Sequence, residues 1–196
     1  EAQLADVLAA VRPLRVEAVG IASSHGRTLA EPVRATVPVP VFDNSAMDGY
    51  AVRAGDLADA SGTYPVRLRV VADIAAGSAL DPAIGPGEAA RIMTGAPVPT
   101  DATAVVPFED TRDGLDGSLS GTDVVVVPRG PGAHIRRRGS DTPAGELVVP
   151  AGVRLSAARI AAIAASGVAS VVVARAPKVA VISTGSELVA PGVPLR

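Results

Sequence analysis

The chain has no cysteine and no tryptophan, and aromatics make up only 2% of its 196 residues. Without thiols it can form no disulfide, no catalytic thiolate and no Cys-type zinc site of its own. Its two histidines, His25 and His134, are too few for a His-rich metal site. Any metal expected here is therefore a hard cation on carboxylates, which suits Mg2+. With so few rings, the core must be built from Val, Leu, Ile and Ala. Lysine is nearly missing as well: Lys178 is the one lysine among 18 basic residues, a bias of codon usage rather than of chemistry. Net charge is −2, so no global basic field argues for nucleic acid. No apolar run reaches the length of a membrane span, and no signal pattern opens the chain, so a cytoplasmic location is expected. The excess lies in turn formers, Gly 20 and Pro 17. Together with 48% hydrophobic residues, they point to many short strands around a substantial core.

Leu4, Val7, Leu8 and Val11 follow helical spacing, with Pro13 as the stop. So short a helix is expected to dock on something larger. Residues 16–31 alternate poorly, and 22–27 read as a turn. His25 is a surface turn residue. Strands are expected over 66–70, 89–93, 104–108 and 123–127, separated by Gly77-Ser78, Gly85-Pro86-Gly87, Asp113-Gly114 and Asp116-Gly117. Their close spacing favours an antiparallel sheet or a barrel-like domain. Further on, 145–155 reads as turn, strand, turn. Ser156 caps an Ala-rich helix that Gly167 ends, and 168–173 is a strand. Residues 178–182, beginning at Lys178, form a near-continuous apolar strand of the kind buried in a parallel sheet.

Four stretches carry chemistry. The first runs from Pro38 to Val52. Its alternating prolines extend the chain, Asp43-Asn44-Ser45 turns it, and Asp48-Gly49 turns it again, with Gly49 free to take a positive φ. Taken alone, these are turn aspartates. The second, Arg91-Ile92-Met93-Thr94-Gly95-Ala96-Pro97, is a strand entering a Thr-Gly turn. There a hydroxyl either caps its own turn or faces a ligand. The third, His134-Ile135-Arg136-Arg137-Arg138-Gly139-Ser140-Asp141, sets three Arg before a Gly turn and a carboxylate. Such a run is commonly a solvated face, but Arg forks also bind phosphate. The fourth, Ser183-Thr184-Gly185-Ser186-Glu187, follows the apolar strand and offers hydroxyls and a carboxylate where ligands sit in open α/β sheets.

The string Asp43-Asn44-Ser45-Ala46-Met47-Asp48-Gly49-Tyr50-Ala51-Val52 resembles the signature of the molybdopterin molybdotransferases, the MoeA and gephyrin E-domain family. The other three stretches resemble that family's later motifs, in the family's order. Residues 100–103 depart from the usual Gly and Asp there, and Ser186 stands where an Asp is usual. The resemblance implies insertion of molybdate into adenylylated molybdopterin with Mg2+ and release of AMP. It implies catalytic Asp48, Thr94, Asp141 and Glu187, with Asp48, Asp141 and Glu187 as candidate Mg2+ ligands. Ser183, Thr184, Gly185, Arg136 and Arg137 would bind substrate. The missing cysteines agree, since the substrate's own dithiolene holds the metal.

The fold implied is mixed α and β, multidomain and β-rich. An N-terminal helix occupies 1–15. A β-barrel-like domain over 34–129 is inserted in an elongated α+β linker domain, 16–33 and 130–176. The start of an α/β pterin-binding domain follows at 177–196. The chain is expected to be an N-terminal part, inactive alone. A homodimer is implied, in which Asp48 and Thr94 of one subunit complete the site around Glu187 of the other, because a spacer of roughly 25 Å separates them within one chain. No nucleic-acid or membrane partner is expected. A non-catalytic scaffold of the gephyrin type and a plain β-rich sugar- or phosphate-binding domain are the other readings.

Overall fold

The computed structural model describes residues 2–12, 14–114, 121–125, 130–185, 187–192 and 194. Pro13, Asp116-Gly117, Ser186 and the end of the strand expected at 123–127 lie outside them.

Three antiparallel pairs are nested, each enclosing the next. β1 (Val16–Gly20) pairs with β11 (Ser170–Ala174), β2 (Val33–Arg34) with β10 (Leu147–Val149), and β3 (Asn44–Ser45) with β9 (Ile135–Arg136). Innermost in sequence is a five-stranded sheet, built from β4 (Gly49–Val52), β5 (Val66–Ile74), β6 (Glu88–Ile92), β7 (Ala104–Pro107) and β8 (Thr122–Val124) in the order β7-β4-β6-β5-β8. The strand at 16–20 was hidden because its faces are only half-buried, which blurs the alternation. The sheet is mixed, not antiparallel as the spacing suggested: β5 runs parallel to β6. The long 75–87 connection supplies the crossover that a parallel pair requires.

β4 and β7 are buried along their whole length because both faces of the sheet are covered. Tyr50, Val52, Leu68, Val70, Val106 and Phe108 pack on one face, and Ala51, Ile74, Ile84, Ile92 and Val105 on the other. A register shift between Val70 and Ala72 moves the inward side chains of β5 from the first face to the second, as a bulge does. A separate cluster of Leu29, Val33, Val149, Leu155, Ile163, Val171 and Val173 joins the outer strand pairs to α2 (Ala157–Ala165). The Ser156 hydroxyl accepts from the Arg159 amide at the start of α2, and Gly167 takes φ 82° just past its end.

Two apolar segments lie open. The helix α1 (Ala2–Ala10) forms, with Leu4 and Leu8 exposed. Residues 178–182 form no strand. They run as open chain with Val181 88% exposed, because a strand exists only through ladder bonds to a neighbour and none reaches them from the described residues.

Candidate active site

Three of the four motif stretches meet at one joint. The Ser45 amide donates to the Ala96 carbonyl (3.0 Å), the Gly95 amide to the Ser45 carbonyl (2.9 Å) and the Val98 amide to the Asp43 carbonyl (3.0 Å). On the opposite edge β3 pairs with β9, and the Ala46 amide donates to the His134 carbonyl (2.9 Å). The first motif is thus the middle strand of three. Asp43 to Ser45, expected as a turn, are extended, and the bend falls at 46–48 instead. Buried Asn44 and Ser45 spend their side chains locally: the Asn44 amide donates to the Phe42 carbonyl, and the Ser45 hydroxyl to the Met47 carbonyl.

Asp48 leaves this bend and meets Thr94. Its Oδ1 accepts from both the Thr94 amide (2.6 Å) and the Thr94 hydroxyl (2.7 Å). These two donors hold the Asp48 carboxyl below its usual range, the backbone bond first. The group is therefore an anion at neutral pH, an acceptor rather than a proton donor. Its Oδ2 takes no hydrogen bond from the described residues.

Gly49 is needed here for space, not for a positive φ. A Cβ at this position would collide with the Val106 carbonyl oxygen and stand 2.9 Å from Pro107 Cα. Only glycine lets β4 and β7 close directly behind Asp48.

Asp43, left outside the predicted site, clamps the Arg run. Its Oδ1 accepts from the Arg138 amide (2.7 Å) and its Oδ2 from Arg137 Nη1 (2.6 Å). These bonds lower its pKa, the Arg138 amide most. Arg136 Nη2 pairs with Asp141 Oδ2 at 2.5 Å, and the Ser140 hydroxyl donates to Asp141 Oδ1 at 3.3 Å. Arg136 and Arg137 are thus already held by carboxylates. At the far end of the 94–100 loop Asp81 also meets one threonine, but with both oxygens: Oδ1 accepts from the Thr100 amide (2.8 Å) and Oδ2 from its hydroxyl (2.7 Å). Nothing in the sequence flagged Asp81, which is remote from Thr100 in a loop of turn formers.

The fourth motif stands apart. Ser183, Thr184, Gly185 and Glu187 are exposed in open chain, with no hydrogen bond to Asp48, Thr94 or Asp141. Among the described residues no three acidic or histidine side chains gather into a metal cluster, so Asp48, Asp141 and Glu187 are not brought together within this chain. A surface cleft of about 480 Å3 lies at Leu14, Arg15, Glu17 and Arg175 to Lys178, and Asp48 does not line it.

The profile of the MoeA N-terminal region (domain I and II) matches residues 1–167. The chain belongs to the MoeA family. It is similar to molybdopterin molybdenumtransferase 2 of Mycobacterium tuberculosis, 45% identical over 193 residues, 98% of this chain and 46% of that protein. It is also similar to the molybdopterin molybdenumtransferase of a Nostoc species, 42% identical over 180 residues, 92% of this chain and 40% of that protein. A crystal structure of a molybdopterin biosynthesis MoeA protein from Pyrococcus horikoshii superposes with TM-score 0.77 at 39% identity, covering 100% of this chain and 49% of that one. This MoeA-family chain therefore spans about half the length, or less, of the relatives it matches. No helix among its described residues is long and apolar enough to cross a membrane.

Proposed function

We propose that the protein carrying this chain inserts molybdate into adenylylated molybdopterin with release of AMP, in the cytoplasm. The observation that carries this reading is the Asp48–Thr94 clamp: one carboxylate oxygen fixed by two donors, the other unengaged, and the group kept ionised. Such a carboxylate fits Mg2+, which binds one or two carboxylates and takes its other ligands from water and substrate phosphate. Asp48 Oδ2 would hold the ion, which neutralises phosphate charge when bound. Asp141 fits less well, since both its oxygens are already engaged. Thr94 fixes the rotamer of Asp48, so the free oxygen is positioned before substrate arrives. Arg136 and Arg137, held by Asp141 and Asp43, keep further N–H groups for phosphate oxygens.

The same reading takes Glu187 and the hydroxyls of Ser183 and Thr184 from a second subunit of a homodimer. The scaffold alternative is not favoured: an anchoring surface has no use for an ionised carboxylate pinned by two donors. The test has two parts. The full-length gene should restore molybdoenzyme activity to a strain lacking its own molybdotransferase, and its Asp48→Ala variant should not. Mixing full-length Asp48→Ala and Glu187→Ala proteins should then recover about a quarter of parental activity through heterodimers with one intact site. Failure of the parental gene to complement rejects the activity. Absence of recovery, with heterodimers demonstrated, rejects the shared site.

A further inference from the structure

Arg91 sits on β6 among apolar neighbours, opposite Tyr50 in the ladder and flanked on its own face by Ala89 and Met93. It is half-buried, yet no described carboxylate lies within 4.0 Å of it. Its Nε is sealed from solvent and has no hydrogen-bond partner. On the same sheet, the more exposed Arg67 and Arg69 are paired, with Asp123 and Glu88. This reverses what desolvation demands, because the half-buried guanidinium needs a counter-charge more than the exposed ones do. An orphaned buried donor in a native structure requires an explanation, and a bound ion is one that also answers the missing counter-charge.

The position is tied to the Asp48 clamp from two sides. Three residues along from Arg91, Thr94 grips Asp48 Oδ1. The Arg91 guanidinium lies over the Phe108 ring, 5.5 Å from its centroid, and the Phe108 amide donates to the Asp48 carbonyl (3.1 Å). Tyr50 meets the same ring edge-on at 5.3 Å. The rings hold the guanidinium in place but supply no acceptor for its N–H groups. A planar fork fixed on an aromatic face and lacking a carboxylate is suited to a tetrahedral oxyanion.

The geometry points to Arg91 as an oxyanion-binding residue beside the Asp48–Thr94 clamp, taking an oxygen of molybdate or of the substrate phosphate. The inference deepens the proposed function and rests on it for the choice of anions. Its test is binding of the anions themselves, which needs no turnover. Full-length protein is titrated separately with inorganic molybdate and inorganic phosphate, by calorimetry and by thermal shift. The anion that binds tighter, and displaces the other, identifies the source. Arg91→Met should weaken binding by about ten-fold or more while leaving Tm equal to the parent's or higher, since it removes a buried charge and fills the same space. Arg91→Lys keeps the charge without the fork and should fall between. Three outcomes overturn the inference: neither anion binds the parent, a folded variant binds as the parent does, or Arg91→Met loses stability with anion affinity unchanged. Should Arg91→Met fail to fold, Arg91→Lys decides by its affinity. A parental gene that fails to complement while Arg91-dependent anion binding persists would reject the proposed reaction and leave this site standing.

Discussion

Residues 43–52 and 178–188 each join a strand-like apolar run to a short polar turn, and the chain treats them oppositely. The first is gripped on both edges, by residues 95–98 and by β9, and continues into a strand with both faces buried. The second has a more continuous apolar run, yet its apolar residues face water. Apolar character does not make a strand. Ladder partners do, and they must be supplied from elsewhere. Around Asp48 the partners come from segments some 50 and 90 residues further along the chain, so the site is a product of topology as much as of its own motif.

The largest effect expected from this contrast is a paired substitution. Val105→Asp places a charge in the sheet interior and should cost about 4 kcal/mol or more. Val181→Asp, of the same chemistry at an exposed position, should stay within about 0.5 kcal/mol. Urea unfolding of the two variants of this chain measures the difference, and equal losses would mean that 178–182 is covered in solution. Next is Gly49→Ala, expected to cost about 3 kcal/mol because the added methyl must part β4 from β7. The same change at Gly55, where a Cβ meets nothing, is the control.

These two positions show where sequence reading reached and where it stopped. Two separate motif strings named Asp48 and Thr94 and could not show that they touch, since 46 residues separate them. Gly49 stood out as a turn residue, but its close approach to Val106 follows from strand order, which alternation does not encode. The parallel pairing of β5 and β6 was equally invisible, because a strand that is polar on one side has the same pattern beside either kind of neighbour.

A smaller effect concerns acid. Asp43 has its pKa lowered in the fold by the Arg138 amide and the Arg137 side chain. A depressed native pKa adds stability that is complete above the ordinary value of 3.8 and is lost as pH falls through the lower native one. Asp43→Asn should therefore be less stable at pH 7 by about 1 kcal/mol, a modest figure because the pair is partly solvated. Its deficit against the parent should shrink as pH drops below that value. Chemical unfolding at pH 7, 4 and 3 checks the trend, and a constant deficit would assign the loss to shape rather than charge. The smallest effect is at His134, the one described non-glycine residue with positive φ, 54°. His134→Gly relieves that conformation and should change stability by less than about 1 kcal/mol, in the stabilising direction. A clear loss of Tm would show that the imidazole itself helps hold the joint.

The sequence by itself determined the class of chemistry and most of the local elements. Without thiols the chain can offer no Cys-type metal site or thiolate catalysis of its own. Ser156, Gly167 and the Ala-rich apolar pattern between them specified α2 from short-range rules alone. Tertiary structure decided which partner each carboxylate meets. It joined Asp48 to Thr94 and Asp43 to Arg137, set Asp141 on Arg136, and left Glu187 apart. It also exposed the anomaly of Arg91, whose sequence neighbours mark an ordinary strand residue. Whether a charge has a partner depends on what the fold carries to within 4 Å of it, and contacts between distant segments cannot be read from local spacing.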